Sequence, residues 1–187
     1  MTRSTARELA MHCSFSLGFL RLTAVQLLEE RLSEDSFNAW KDEDDLYEEY
    51  PDQQQQQYIT QLVEGVGDHG PELDSYIGKY AVNWKFERIP RTASAIMRVA
   101  MYEILYMPEI PNAAAINEAV EIAKKYEEAK TVSFVNGILG SFLRAEFPEE
   151  YGSLPEVQAE TMDMEEVPEE QAEQAEEQAE HDSNTGL

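Results

Sequence analysis

Arg3 and Arg7 stand four residues apart near the start of the chain, a spacing that puts both on one face of a helix. Two guanidinium groups beside the backbone donors and positive dipole of a helix N-terminus suit a phosphate. The same pair also reads as solvated arginines paired with an acidic surface, and spacing alone leaves both open. A second group lies further on, where Lys85, Arg88 and Arg91 interleave with Trp84 and Phe86. Such a mixture can hold a single nucleic-acid strand by phosphate contact and base stacking, or the two aromatics can anchor a helix junction. A third group is Phe134 with Lys130 before it and Asn136 after it. An aromatic at a helix start can stack a base while an amide reads its edge, or it can simply belong to the helix's apolar face.

Catalytic arrangements are not expected. The sequence has no glycine-rich phosphate loop after a strand and no nucleophile elbow. His12, His69 and His181 are scattered, and no pair of them has metal-ligand spacing. Glu118 and Glu121 lie on a helix beside Asn117, where caps, inter-helix hydrogen bonds and surface pairs are the ordinary roles. Cys13 is the single cysteine, which excludes an intramolecular disulfide; it falls on an apolar face and reads as a small core residue. Neither catalysis nor a metal site is therefore expected.

Charge restricts what it can bind. The formal net charge is -24 over 187 residues. Fourteen of the 38 acidic residues lie from Glu149 onward, where no Lys or Arg occurs, so residues 1–148 carry 24 acids against 14 bases. This portion is still acidic. It lacks the broad positive footprint of a non-specific DNA binder, and any RNA contact must be local. No apolar run approaches the length of a membrane span, and the N-terminus lacks a signal-peptide layout. A cytoplasmic location is the expectation.

These residues need helices to position them. Ala6, Leu9, Ala10, Cys13 and Leu17 predict a first helix over residues 2–20. Thr23 and Gln26 form a capping-box pattern ahead of Val25, Leu28 and Leu32. Residues 33–51 read as an irregular acidic connector whose aromatics dock on the domain. The glutamines Gln53 to Gln57 begin a helix continued by Tyr58, Ile59, Leu62, Val63 and Val66. Gly67 and Gly70 end it, and Pro71 suits the next first turn, with Leu73, Ile77 and Tyr80 buried. Pro90 opens a helix apolar on several sides, expected at the centre of the fold. After Pro108 and Pro111, Asn112 is placed to cap a helix with Ile116, Ala119, Val120, Ala123 and Tyr126 inward and Glu121 facing Lys125. The last helix carries Phe134, Val135, Ile138, Leu139 and Phe142. Gly137 and Gly140 inside it predict close approach of a neighbouring helix. Beyond Pro148 a Glu/Gln/Ala-rich segment has nothing to bury and is expected to be disordered.

Four segments in this order resemble the NusB family: Ala6-Arg7-Glu8, Met97-Arg98-Val99-Ala100-Met101-Tyr102-Glu103, Ile116-Asn117-Glu118-Ala119 just after Pro111, and Phe134-Val135-Asn136-Gly137. The resemblance covers most of residues 2–143. It is strongest over 88–143 and weak over 33–57. It implies an all-α domain, residues 1–148, of two small packed helical bundles, followed by a disordered acidic tail over 149–187. It further implies a transcription antitermination factor. Such factors bind the single-stranded boxA element of ribosomal RNA transcripts together with the ribosomal protein NusE, and act on elongating RNA polymerase. No cofactor is implied, and the protein is expected as a monomer or homodimer.

Carried over by position, Arg3, Arg7, Lys130, Phe134 and Asn136 are the implied RNA-binding residues. Lys130 is placed in the loop before the last helix, and Asn136 is expected to brace that loop. Phe15 and Arg98 are the implied partner-facing residues, while Asn117 and Glu118 stabilise the fold. Ser4 and Thr5 stand where many members have arginine, and Ser133 where a Lys often precedes the Phe-Val-Asn-Gly run. Fewer phosphate contacts imply weaker RNA binding alone and more reliance on the protein partner. The alternative reading is a helical protein-interaction module of the same fold with weak or lost RNA binding.

Overall fold

The computed structural model describes residues 1–151, apart from positions 21, 83 and 85. The expected disordered tail beyond Tyr151, and Lys85, lie outside the described residues. Among the described residues all regular structure is helical: α1 (Arg3–Leu17), α2 (Ala24–Arg31), α3 (Glu34–Trp40), α4 (Gln53–Asp68), α5 (Gly70–Tyr80), α6 (Arg91–Tyr106), α7 (Asn112–Tyr126), α8 (Ala129–Glu146) and the short α9 (Pro148–Tyr151).

The helices form two bundles. In the first, α1 packs on α4, and α2 on both. In the second, α6, α7 and α8 pack on one another, with α5 against α6 and α8. The seam between the bundles is α1 and α4 lying on α6. Helix α6 is thus touched from both bundles. Its residues Ala93 to Met97 and Val99 to Ile104 are all buried, as the multi-sided apolar pattern predicted.

Local signals set several ends. The Thr23 hydroxyl accepts from the Gln26 N–H, and the Gln26 side chain returns to the Thr23 N–H, completing the predicted capping box. Asp52 and Gln55 make a second one ahead of the glutamine run. Pro90 precedes α6 and Pro71 lies in the first turn of α5, where a missing N–H costs nothing.

The structure corrects other expectations. The acidic connector contains α3, capped by Ser33 and anchored by buried Phe37. Tyr47 and Tyr50 dock as expected, both packed on Phe37, with the Tyr50 hydroxyl also donating to the Leu32 carbonyl at 2.6 Å, whereas Trp40 stays largely exposed. Helix α1 stops at Leu17, before the predicted end. In α2 the buried pair is Leu27 and Leu28, while Val25 faces out. Helix α7 begins at Asn112, with Pro111 in the cap position. Glu121 pairs with Lys124 rather than Lys125. Tyr126 is exposed, its hydroxyl donating to Glu8.

The glycines are corrected too. A Cβ at Gly137 or Gly140 would meet nothing within 4 Å, so neither marks a close approach. Gly65 does. A Cβ there would lie 1.9 Å from the Tyr102 ring, so the tip of this α6 side chain lies directly on the α4 backbone.

Candidate nucleic-acid interface

Thr2 caps α1 by accepting from the Thr5 N–H at 3.0 Å, and Arg3 follows in the first turn. Arg3 is exposed. Its guanidinium carbon sits 5.0 Å from the centroid of the Tyr58 ring on α4, within cation–π range.

Arg7, one turn later, has a different environment. Its side chain is 3% exposed. Its Nε donates to Glu103 Oε2 at 2.8 Å and its Nη2 to Glu103 Oε1 at 2.9 Å, while Nη1 reaches Glu118 at 3.1 Å. Glu103 on α6 is fully buried and also accepts the Tyr58 hydroxyl at 2.5 Å. One guanidinium thus ties α1 to α6 and α7, and Glu103 adds α4. Burial opposes the charge on Arg7, but the bonds and charge of Glu103 outweigh it and hold its pKa above the usual arginine value. For Tyr58, burial and Glu103 both disfavour the phenolate and raise the hydroxyl's pKa.

This geometry corrects the expectation for Arg7. Its donors are spent inside the protein and cannot reach a phosphate without stranding Glu103. Glu118 joins the same network, in line with the fold-stabilising role expected of it, whereas Asn117 is exposed. The sequence signal for this centre is Glu103, a carboxylate on a helix apolar on almost every side. A charge in that setting needs a partner, since burying it unpaired is costly.

The second group lies at the start of α8. Lys130 belongs to the first turn of that helix, not to the loop before it, and is exposed. Phe134, one turn on, is half-buried and leans on Trp84, with ring centroids 4.9 Å apart and planes at 41°. The junction between α5 and α6 is therefore held against α8 by an aromatic pair, which leaves one part of Phe134 accessible. Asn136 is half-buried in the following turn, inside the helix. Arg88 and Arg91 are exposed on the same junction, Arg91 reaching over the Phe19 ring at 4.6 Å.

The two partner-facing expectations diverge. Phe15 is half-buried near the end of α1 and packs on Phe19, which is 51% exposed. Leu20 beside it is also exposed. This apolar edge, with Arg91 over it, extends the predicted Phe15 surface to residues that helical spacing did not single out. Arg98, in contrast, is committed to Asp74 through Nε at 2.6 Å and Nη2 at 2.9 Å. It fastens α5 to α6 and presents no free fork to a partner.

One hollow beside α1 is unsuited to phosphate. Thr5, Glu8, Asp44, Asp45 and Lys125 line an acidic hollow, and the one lysine there is already paired with Glu8 at 2.5 Å. Lys124 and Lys79 are likewise paired, with Glu121 and Glu146. Burial raises the Cys13 thiol to about 11, which leaves it unreactive near neutrality. No group of His, Cys, Asp or Glu suited to a metal occurs among the described residues, and no described helix is long and apolar enough to cross a membrane.

Comparison with known proteins agrees with this architecture. The NusB family model matches residues 4–144. The transcription antitermination protein NusB of Bacillus subtilis (strain 168) is 36% identical over 141 residues, covering 75% of this chain and 94% of the relative. That of Alkaliphilus oremlandii (strain OhILAs) is 37% identical over 146 residues, covering 78% and 96%. Among solved structures, T. maritima NusB superposes with a TM-score of 0.59 at 24% identity, covering 82% of this chain and 99% of that one. A crystal structure of the antitermination factors NusB and NusE in complex with dsRNA gives 0.63 at 21% identity, covering 76% and 96%. With two helical bundles closed on α6 and a match along nearly the full length of these relatives, the chain belongs to the NusB family.

Proposed function

We propose that this protein is a transcription antitermination factor. It binds a boxA-type RNA strand of ribosomal RNA transcripts jointly with a NusE-like ribosomal protein, and the pair acts on elongating RNA polymerase in the cytoplasm. The observation that carries this reading is the match over almost the whole length of relatives named as antitermination proteins. In this reading Arg3, Lys130 and Phe134 make the RNA contacts. Arg3 and Lys130 supply phosphate pairing, and the open part of Phe134 supplies stacking. Arg7 supports the interface from inside by fixing α1 on α6 and α7, and Asn136 acts through the packing of α8. The Phe15–Phe19 edge receives the protein partner.

The acidic body shapes the mechanism. Acidic residues outnumber basic ones, and Lys79, Lys124 and Lys125 are paired with glutamates, so RNA alone gains little from counterion release and the partner must contribute affinity. The test is binding of the purified protein, with and without its own NusE-like protein, to a boxA-like RNA and a scrambled control. The expected result is selective binding that strengthens with the partner and falls in Lys130→Ala and Phe134→Ala. Tight partner binding without RNA selectivity would instead establish the interaction-module reading. Equally tight RNA binding without the partner would remove the reliance on it.

A further inference from the structure

Tyr58 has a surrounding that neither its place in a helix nor its burial alone explains. It lies in the second turn of α4 and is 6% exposed. One end of the side chain is fixed, because the hydroxyl donates to the fully buried Glu103 at 2.5 Å. The ring face meets two guanidinium groups from α1: Arg3 at 5.0 Å and Arg7 at 5.9 Å from its centroid. Arg7 is locked to Glu103 and cannot leave. Arg3 is exposed, and among the described residues it forms no salt bridge. The backbone ahead of it is also held, since Gln55 of α4 donates its side-chain amide to the carbonyl of Met1.

From this geometry we infer that Tyr58 is a positioning residue for RNA recognition: its anchored ring holds the Arg3 guanidinium ready for a phosphate of the bound strand. The inference rests on the RNA reading of Arg3 proposed above. An arginine free in solvent loses much rotamer freedom when it pairs with a ligand, and an arginine already laid on a ring loses less. The ring leaves the guanidinium edge free, so the N–H groups that a phosphate needs are not consumed. The Tyr58 hydroxyl bond to Glu103 matters because it stops the ring from following Arg3 outward. Through that bond the buried Arg7–Glu103 centre and the exposed Arg3 become parts of one arrangement.

A double-mutant cycle tests this. Binding of the boxA-like RNA, with the NusE-like protein present, is measured across salt for wild type, Arg3→Ala, Tyr58→Leu and the double variant. Arg3→Ala is expected to weaken binding and to make the salt slope shallower by about 0.7, the loss of one phosphate contact on a single strand. Tyr58→Leu is expected to weaken binding about two- to fivefold when Arg3 is present, and to add nothing in the Arg3→Ala background. Tyr58→Phe, which keeps the ring, should recover part of the loss. Equal losses from Tyr58→Leu in both backgrounds would overturn the positioning role. An Arg3→Ala protein that binds like wild type would overturn the RNA role of Arg3 itself, and the positioning role with it. Should Tyr58→Leu fail to fold, NMR of the wild-type protein decides. Ring-current displacement of the Arg3 δ-methylene protons in the free protein supports the inference, and random-coil positions overturn it.

Discussion

The seam where α1 meets α6 and the opening of α8 carry similar residues to opposite ends. At the seam, Arg7 is sealed against Glu103, Glu118 and Tyr58, and Gly65 lets α4 press onto Tyr102. At the opening of α8, Lys130 is exposed, Phe134 is only half-buried, and Gly137 faces open space. The contrast shows that residue type does not decide whether a cation or a glycine serves the fold or the surface. What the rest of the chain brings to it does. Arg7 becomes structural because a carboxylate 96 residues away is buried beside it.

The largest effect should come from breaking the seam. Arg7→Ala leaves Glu103 buried without its main partner, and losing one member of a buried pair costs about 3–5 kcal/mol. Denaturant unfolding should show that loss, whereas Lys130→Ala should stay within about 0.5 kcal/mol of wild type. Similar small losses in both would mean that Arg7 is less enclosed than its geometry indicates.

The glycines sharpen the same contrast with opposite signs. Gly65→Ala drives a methyl into the Tyr102 ring and should destabilise by about 1–3 kcal/mol, the range for overpacking. Gly137→Ala meets nothing and should stabilise α8 by up to about 1 kcal/mol, because alanine loses less backbone entropy in a helix. Thermal melts of the two variants should move in opposite directions, and a shared direction would contradict the packing described here.

A smaller effect joins the two regions at His12, whose Nε2 meets the Tyr126 hydroxyl at 2.8 Å where α7 leads toward α8. Burial lowers the pKa of His12 below its usual 6.5, against the pull of Glu8 and Asp44. The neutral form is therefore favoured in the folded protein. Its contribution is complete above pH 6.5 and is lost as pH falls below that value toward the folded-state pKa, because the unfolded chain binds the proton first. Melts of wild type and His12→Gln between pH 7.5 and about 5.5 should show a steeper decline in wild type. Parallel declines would assign the acid sensitivity to other groups.

Much of this fold is legible in the sequence because its signals are local. The Thr23–Gln26 capping box, Pro71 and Pro90 at helix starts, and the many-sided apolar pattern of α6 all act within a few residues. Helix α3 escapes such reading because seven residues with one buried anchor, Phe37, are too short to show a period. The start of α8 carries no such signal, since Glu128 makes no side-chain cap bond to mark it. The site is less legible for a physical reason. Helical spacing correctly puts Arg3 and Arg7 on one face but is silent on what covers that face. For Arg98 the covering group is Asp74, from the preceding helix. Gly65 gives the same lesson in the core, since its necessity comes from Tyr102 and not from α4 itself.

The division between a sealed Arg7 and a presented Arg3 can be observed directly in the wild-type protein. Nitrogen-edited NMR of the arginine Nε–H groups, recorded with the NusE-like partner before and after addition of boxA-like RNA, reports each guanidinium separately. That division predicts that the Arg7 Nε–H exchanges slowly with water and stays in place while the Arg3 signal moves. An Arg7 signal that exchanges freely and shifts as far as that of Arg3 would contradict it.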